Sequence, residues 1–396
     1  MVYIYKQVLF IPFIVFLILN ISLYLCIYFF HSTIPFSKFD YIYNAHHYKQ
    51  DPQIIHKQFS FITALGQYDA QWYLKIAEEG YPSNPKNVNN KNKKSMDGLV
   101  YAFFPLYPAC LSIINSIFHN VELSAFIFAN VFLVLNFFSL YKLICLFYPS
   151  KIAIRTIFLL FLFPFSIFYR SYFTEGLYLF LLIWSTYFFV KKKYIITSLF
   201  LGLLLVTKAN GFLLNIFYIV YLITQARINA ISWRKTVVLL SFMITPIIVW
   251  VLFCFFRTGN PFYFITVRSQ WFSLGVFSPL TILYNLYLVY NFFNLPLHSF
   301  HYSQLDTAMI LFVSVVLLGS FKKIPQVLWI VIFSLFLSPL LVTDTQSFSR
   351  YQSISFPLFM YLAIISKNFY YKILIIVFYI LLLLLSIGFV NWYWIG

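Results

Sequence analysis

Charge is scarce in this chain. Only 9% of its 396 residues are charged, and 10 acids stand against 27 lysines and arginines. A soluble domain carries about a quarter charged residues, so that class is excluded. Cysteine is nearly absent as well. Cys26, Cys110, Cys145 and Cys254 are dispersed and lack C-x-x-C spacing, which speaks against structural zinc and a disulfide framework; they read as small buried hydrophobes. The apolar runs are continuous rather than alternating, unlike the strands of a transmembrane β-barrel. The net charge of +17 comes without a clustered basic groove interleaved with aromatics, so no nucleic-acid partner is expected. His46, His47, His298 and His301 form two sets far apart in the chain. Neither set has nearby carboxylates, and both read as loop or interface residues, with no metal or cofactor expected.

What is present is apolar. Hydrophobic residues make up 62% of the chain, aromatics 23%, and the mean hydropathy is +0.84. Runs long enough to cross a bilayer recur from end to end, which predicts an all-α polytopic membrane protein with a single integral domain over residues 1–396. The first span, Leu9 to Phe30, is too long for a signal-peptide core and reads as a signal anchor. Ten more are expected at about 124–147, 153–170, 174–190, 194–207, 211–225, 236–256, 306–320, 325–342, 354–366 and 373–393, for about 11 transmembrane helices. Residues 103–118, headed by Pro105 and Pro108, read as a re-entrant or interfacial helix. Residues 279–295 are an ambiguous apolar segment. Between the first two spans, 31–102 form a long polar loop, within which Asn84 to Ser95 reads as a disordered insertion.

The charges set the sidedness. With Lys6 and the N-terminus in the cytoplasm, the cytoplasmic loops hold Lys142, Lys151, Arg155, Lys191, Lys192, Lys193, Arg227, Arg234, Lys235, Lys322, Lys323, Lys367 and Lys372, and no acid. All ten carboxylates fall on the other side. That segregation is the positive-inside pattern. The loop 31–102 is therefore expected to be non-cytoplasmic. Polar segments around Arg170–Glu175, Thr207–Gly211, Arg257–Pro261, Arg268–Trp271 and Thr343–Tyr351 share its face. Charges at membrane depth are costly, so this face is expected to hold a polar cavity.

Within the loop, Gly66 to Tyr81 concentrates three carboxylates, Asp69, Glu78 and Glu79. Asp69 reads either as a helix N-cap or as a general base; Glu78 and Glu79 fit the solvated face of an interfacial helix. Glu175, at the mouth of a span, pairs with Arg170 or contacts substrate. Arg257 and Arg268 read equally well as interfacial snorkelling residues.

The order of motifs resembles the PIG-V family of mannosyltransferases, the second mannosyltransferase of GPI-anchor assembly with its bacterial relatives, within the GT-C membrane glycosyltransferases. The resemblance rests on Tyr68-Asp69-Ala70 with Ile76-Ala77-Glu78-Glu79-Gly80-Tyr81, then Ala102-Phe103-Phe104-Pro105-Leu106-Tyr107-Pro108. Next come Tyr172-Phe173-Thr174-Glu175-Gly176-Leu177-Tyr178, Lys208-Ala209-Asn210-Gly211 and Ser349-Arg350-Tyr351. Tyr68 stands where many members have Trp, and Lys208 where an Arg is expected. The resemblance implies a GT-C-like bundle with its catalytic loop outside. It also implies inverting transfer of mannose from a polyprenyl-phosphate-mannose donor to a lipid-linked glycan acceptor. Asp69 would be the base; Arg350, Tyr351, Lys208, Asn210, Glu175, Tyr68 and Trp72 would bind substrate or the donor phosphate. Arabinose, aminoarabinose or glucose transfer keeps the same architecture. A transporter would instead predict internal inverted repeats, and none is found. The membrane is the endoplasmic reticulum in a eukaryote or the plasma membrane in a bacterium. The partners are these lipid substrates and the surrounding membrane lipids; a partner subunit is not read from the sequence.

The chemistry agrees with the resemblance. An acceptor hydroxyl needs a carboxylate to take its proton, and a phosphate leaving group needs cations rather than an acid.

Overall fold

The computed structural model describes residues 2–45, 59–83, 85, 96–268, 279–296, 303–342 and 347–396. Asn84 to Ser95 (Pro85 apart), all four paired histidines, Ser269 to Trp271 and Asp344 lie outside the described residues. Among those described, the secondary structure is entirely helical.

The first long helix, α1 (Val2–Phe30), leads into the polar loop, which carries α2 (Lys38–Asn44), α3 (Phe61–Ala64) and α4 (Asp69–Glu79). Then follow α5 (Leu106–Phe118), α6 (Val121–Ile144), α7 (Ser150–Leu162), α8 (Glu175–Val190), α9 (Tyr194–Leu205), α10 (Phe212–Arg227) and α11 (Trp233–Thr258). The chain continues through α12 (Tyr263–Arg268), α13 (Pro279–Tyr290), α14 (Gln304–Ser320), α15 (Gln326–Val342), α16 (Phe348–Gln352), α17 (Phe356–Ile365) and α18 (Asn368–Val390). Five of the expected spans are helices long and apolar enough to cross a bilayer: Leu9–Thr33, Val121–Ile144, Ala209–Arg227, Trp233–Thr258 and Asn368–Val390. Six further apolar helices have 10–17 residues, α5, α8 and α9 among them. A 16-residue helix rises only about 24 Å, short of a hydrocarbon core of about 30 Å. Beside α8 and α9 the flanking irregular segments 171–174 and 206–208 are buried in protein, where such backbone is tolerated.

The expected span 153–170 is one such place, and it is not one helix. It stops at Leu162, Phe163 turns extended (φ −54°, ψ 138°), and a 3₁₀ run follows over Pro164–Tyr169. Pro164 supplies the reason: it has no N–H to continue the ladder and disfavours helical backbone at the residue before it. The 3₁₀ run is buried throughout. It brings Arg170 inward, where Nε donates to Asn20 Oδ1 of α1 at 2.8 Å and Nη1 to the Ser166 carbonyl at 2.8 Å.

Two apolar cores organise the rest. The larger joins α1, α6, α7, α8, α9, α15, α17 and α18. Helix α9 approaches α11 closely at Gly202, where a side-chain carbon would run into the Met243 carbonyl; small residues permit such contacts in membranes. The smaller core gathers Trp72, Tyr81, Tyr101, Phe104, Trp250 and Val267, fixing the loop onto α11 and α12. Outward faces of α1, α11, α14 and α18 expose large apolar side chains, as lipid-facing helices do.

Candidate active site

The approach to Asp69 is tightly specified. Gly66 lies against the Tyr172 ring, which a side-chain carbon would meet at 3.0 Å. Gln67 Nε2 donates to the Val390 carbonyl (3.0 Å), and the Tyr68 hydroxyl donates to the Trp392 carbonyl (2.6 Å). The Tyr68 ring is buried among Phe389, Trp392 and Trp394, with centroids 6.0, 5.1 and 4.8 Å away. So anchored, Tyr68 adopts φ +55°, ψ −127°, a strained backbone for a side chain of this size. The chain then turns into α4 with Asp69 as its first helical residue. Tyr68, not Asp69, occupies the N-cap position, and no side chain caps the helix. The N-cap reading of Asp69 is thus set aside. Asp69 remains the one acidic residue in the first turn of the helix.

Asp69 is only partly covered, with 34% of its side chain exposed, and its Oδ2 accepts from Nη1 of Arg350 at 2.9 Å. Arg350 is 3% exposed. Its Nε donates to Oε1 of Glu175 at 2.7 Å, and Lys208 Nζ donates to the same oxygen at 2.7 Å. One fully buried carboxylate oxygen is therefore shared by two cations. The expected alternative of a Glu175–Arg170 pair is corrected by this arrangement, because Arg170 is saturated by Asn20 and main-chain carbonyls.

Each member comes from a different element. Glu175 opens α8, Lys208 follows α9, and Arg350 sits on the short α16. Helix α16 is itself held by Asp306 of α14, whose Oδ1 accepts the Ser349 N–H at 2.8 Å. Aromatic rings surround the cations: Arg350 lies 4.4 Å from the Phe173 centroid and Lys208 4.4 Å from that of Tyr351. Buried cation–aromatic contacts of this kind are worth about 2 kcal/mol.

The environment moves several proton affinities. Burial pulls the Lys208 ammonium down from 10.5 to about 8; Glu175 opposes the shift and nearby Arg350 reinforces it. Burial also works against the Arg350 cation, but Glu175 and Asp69 outweigh it and hold the guanidinium firmly charged. Burial, followed by Asp69 and Glu175, pushes the Tyr73 hydroxyl well above the usual tyrosine range.

The structure also brings in a residue whose role the sequence left even. Arg268 closes α12, directly after Val267, which is fully buried in the same core as Trp72, one turn along α4 from Asp69. Its guanidinium is pulled down by burial and is within electrostatic reach of Tyr351, Tyr73 and Asp69. Nothing in the local sequence signals this placement, which depends on α12 folding back onto the loop.

Of the expected site residues, Asp69, Glu175, Lys208, Arg350 and Tyr351 converge. Tyr68 supports Asp69 from behind through the contacts above. Trp72 is buried in the smaller core, stacked on Phe103 at 5.8 Å. Asn210 is buried beside Lys208, and its Nδ2 meets no acceptor among the described residues. Among the described residues, no three His, Cys, Asp or Glu side chains are grouped to hold a metal.

Residues 104–250, less than half of the chain, match the family described as dolichyl-phosphate-mannose-protein mannosyltransferase. The matched segment contains Glu175, Lys208 and Asn210; Asp69 precedes it and Arg350 and Arg268 follow it. The match supports a membrane glycosyltransferase of the GT-C type that uses a polyprenyl-phosphate sugar. No curated protein and no solved structure matches the chain.

Proposed function

We propose that this protein transfers a mannosyl residue from a polyprenyl-phosphate donor to a lipid-linked glycan on the non-cytoplasmic face, with inversion at the anomeric carbon. The observation that carries the reading is the Asp69–Arg350–Glu175–Lys208 chain, a partly open carboxylate braced by a buried, fully charged arginine. In the step, the acceptor oxygen bonds to the anomeric carbon while the bond from that carbon to the phosphate oxygen breaks. The acceptor proton passes to Asp69, and the electron pair leaves with polyprenyl phosphate.

Charge balance supports the same assignment. Two carboxylates, Asp69 and Glu175, act on three cations, Arg350, Lys208 and Arg268. The surplus is one positive charge, which suits the single negative charge of a phosphodiester donor. We assign the donor phosphate to the cationic side of this cluster, Arg350, Lys208 and Arg268, with Tyr351 beside them. Exposed Lys191, Lys192, Lys193, Lys322 and Lys323 lie at the opposite ends of the helices, which supports placing the site outside.

The test is transfer by the full-length protein in proteoliposomes, given polyprenyl phosphates bearing labelled mannose, glucose or arabinose and a panel of lipid glycan acceptors. The expected product is an α-mannoside. Exclusive transfer of glucose or arabinose would overturn the assigned sugar.

A further inference from the structure

A cavity lies at the end of the bundle away from Asp69. It has a volume of about 350 Å³ and sits between α8, α9, α10 and α15, within the roughly 300–1,000 Å³ range of ligand pockets. Leu182 and Phe189 of α8, Leu201 of α9, Phe217 of α10, and Val327 and Val331 of α15 are among the apolar residues of its wall. Gln326 and Tyr221 supply polar atoms at the same end. These four helices run from the active-site end to this one: α8 leaves Glu175 and finishes at Val190, and α9 returns towards Lys208.

The two turns that close this end are basic. Lys191, Lys192 and Lys193 connect α8 to α9; Lys322 and Lys323 connect α14 to α15; all five are exposed. The turns are tied to the cavity wall. The Lys192 N–H donates to the Phe189 carbonyl at 2.9 Å, and Thr197 Oγ1 donates to the Lys193 carbonyl at 3.2 Å. Each turn also places a lysine in left-handed backbone, Lys192 at φ +57° and Lys322 at φ +60°, where Gly or Asn would fit with less strain. No described carboxylate sits at this end: Asp40, Asp69, Glu78, Glu79, Asp97, Glu122, Glu175 and Asp306 all belong to loops or helix starts at the other.

We propose that this cavity takes an acyl chain of an anionic phospholipid from the adjoining leaflet, with the headgroup phosphate held by Lys192, Lys193, Lys322 and Lys323. The apolar wall accepts the chain, the two lysine turns accept the charge, and the absence of nearby described acids leaves that charge uncompensated. Basic pockets between membrane helices bind anionic headgroups by this combination.

The experiment uses the full-length protein in detergent, with phosphatidylglycerol or phosphatidylcholine of identical acyl chains. Thermal stabilisation and lipid retention in native mass spectrometry are measured for wild type, for a Lys192→Gln/Lys193→Gln/Lys322→Gln/Lys323→Gln variant and for Val331→Trp. Phosphatidylglycerol is expected to stabilise the wild type, with affinity reduced about tenfold or more in the lysine variant and retention lost in Val331→Trp. Equal stabilisation by both lipids, or no change in either variant, would overturn the proposal. A phosphatidylglycerol with a photoactivatable acyl chain gives a readout that needs no variant. Cross-links are expected on cavity-wall residues of α8, α9, α10 and α15, displaced by phosphatidylglycerol but not by phosphatidylcholine. Cross-links confined to the outer faces of α1 and α11, or displaced by polyprenyl phosphate alone, would contradict it.

Discussion

Arg350 braces Asp69 from the buried side: its Nη1 donates to Asp69 Oδ2 at 2.9 Å while its Nε is held by Glu175 at 2.7 Å. The partly exposed carboxylate is thereby fixed in position by a group that solvent hardly reaches. A base that must meet an acceptor hydroxyl at short range gains from such preorganisation.

The shared Glu175 oxygen makes the cluster cooperative. Glu175→Gln would leave Lys208 and Arg350 buried with less compensation, and breaking a buried pair in this way costs about 3–5 kcal/mol. Unfolding of the detergent-solubilised protein should show a loss of that size. The double variant Glu175→Gln/Lys208→Met should recover part of it, since one of the two stranded cations is gone. Simple addition of the two single-variant losses would argue against the shared contact.

Lys208 sets a pH dependence. Its folded-state pKa lies near 8, below its ordinary 10.5, so the ammonium loses its proton as pH rises through about 8. If its charge helps hold the donor phosphate, the donor KM should rise across that range. Lys208→Arg stays charged and should abolish the rise. The sense for folding is opposite. Between about 8 and 10.5 the unfolded chain binds a proton that the folded chain does not, so Lys208 makes stability increase with pH there.

Tyr68 acts on Asp69 through the backbone. Tyr68→Phe removes the hydrogen bond to the Trp392 carbonyl and should cost about 1 kcal/mol, up to about 3 for the stranded buried carbonyl. Its kinetic signature should be a lower kcat with the donor KM nearly unchanged, because the base is displaced while the phosphate site is intact.

Gly202 tests the packing. Gly202→Ala would drive a methyl group into the Met243 carbonyl and the Pro246 ring. Overpacking costs about 1–3 kcal/mol where side chains can yield, and backbone yields less. The melting temperature should fall sharply, with little effect on the transfer rate of molecules that remain folded.

Much of this arrangement is legible in the sequence, for identifiable reasons. Hydropathy locates the helices because lipid-facing and core positions are both apolar. Proline marks the break at Pro105, whereas the break at Pro164 falls inside the expected span 153–170 and is not seen from hydropathy. Rare charges at helix mouths, Glu175, Lys208 and Arg350, reveal the site, because burying them is tolerated only where they pair. The pairing itself is not legible. Arg170 is five residues from Glu175, yet the 3₁₀ turn directs it towards Asn20 of α1. Arg268 reaches the site only because α12 folds back onto the Met96–Ala102 turn of the loop, a contact between segments far apart in the chain that no local pattern encodes. Helix lengths were also hidden: hydropathy alone does not show where a ladder ends and buried irregular backbone begins.

The most direct test of the account is Asp69→Asn, which keeps the shape of the side chain and removes its basicity. Wild type and variant are reconstituted side by side, transfer from polyprenyl-phosphate-[labelled]-mannose is followed, and donor binding is measured separately. The account predicts that transfer falls by at least about a hundredfold, the lower range of general-base contributions, while the donor still binds. Wild-type transfer by Asp69→Asn would contradict it.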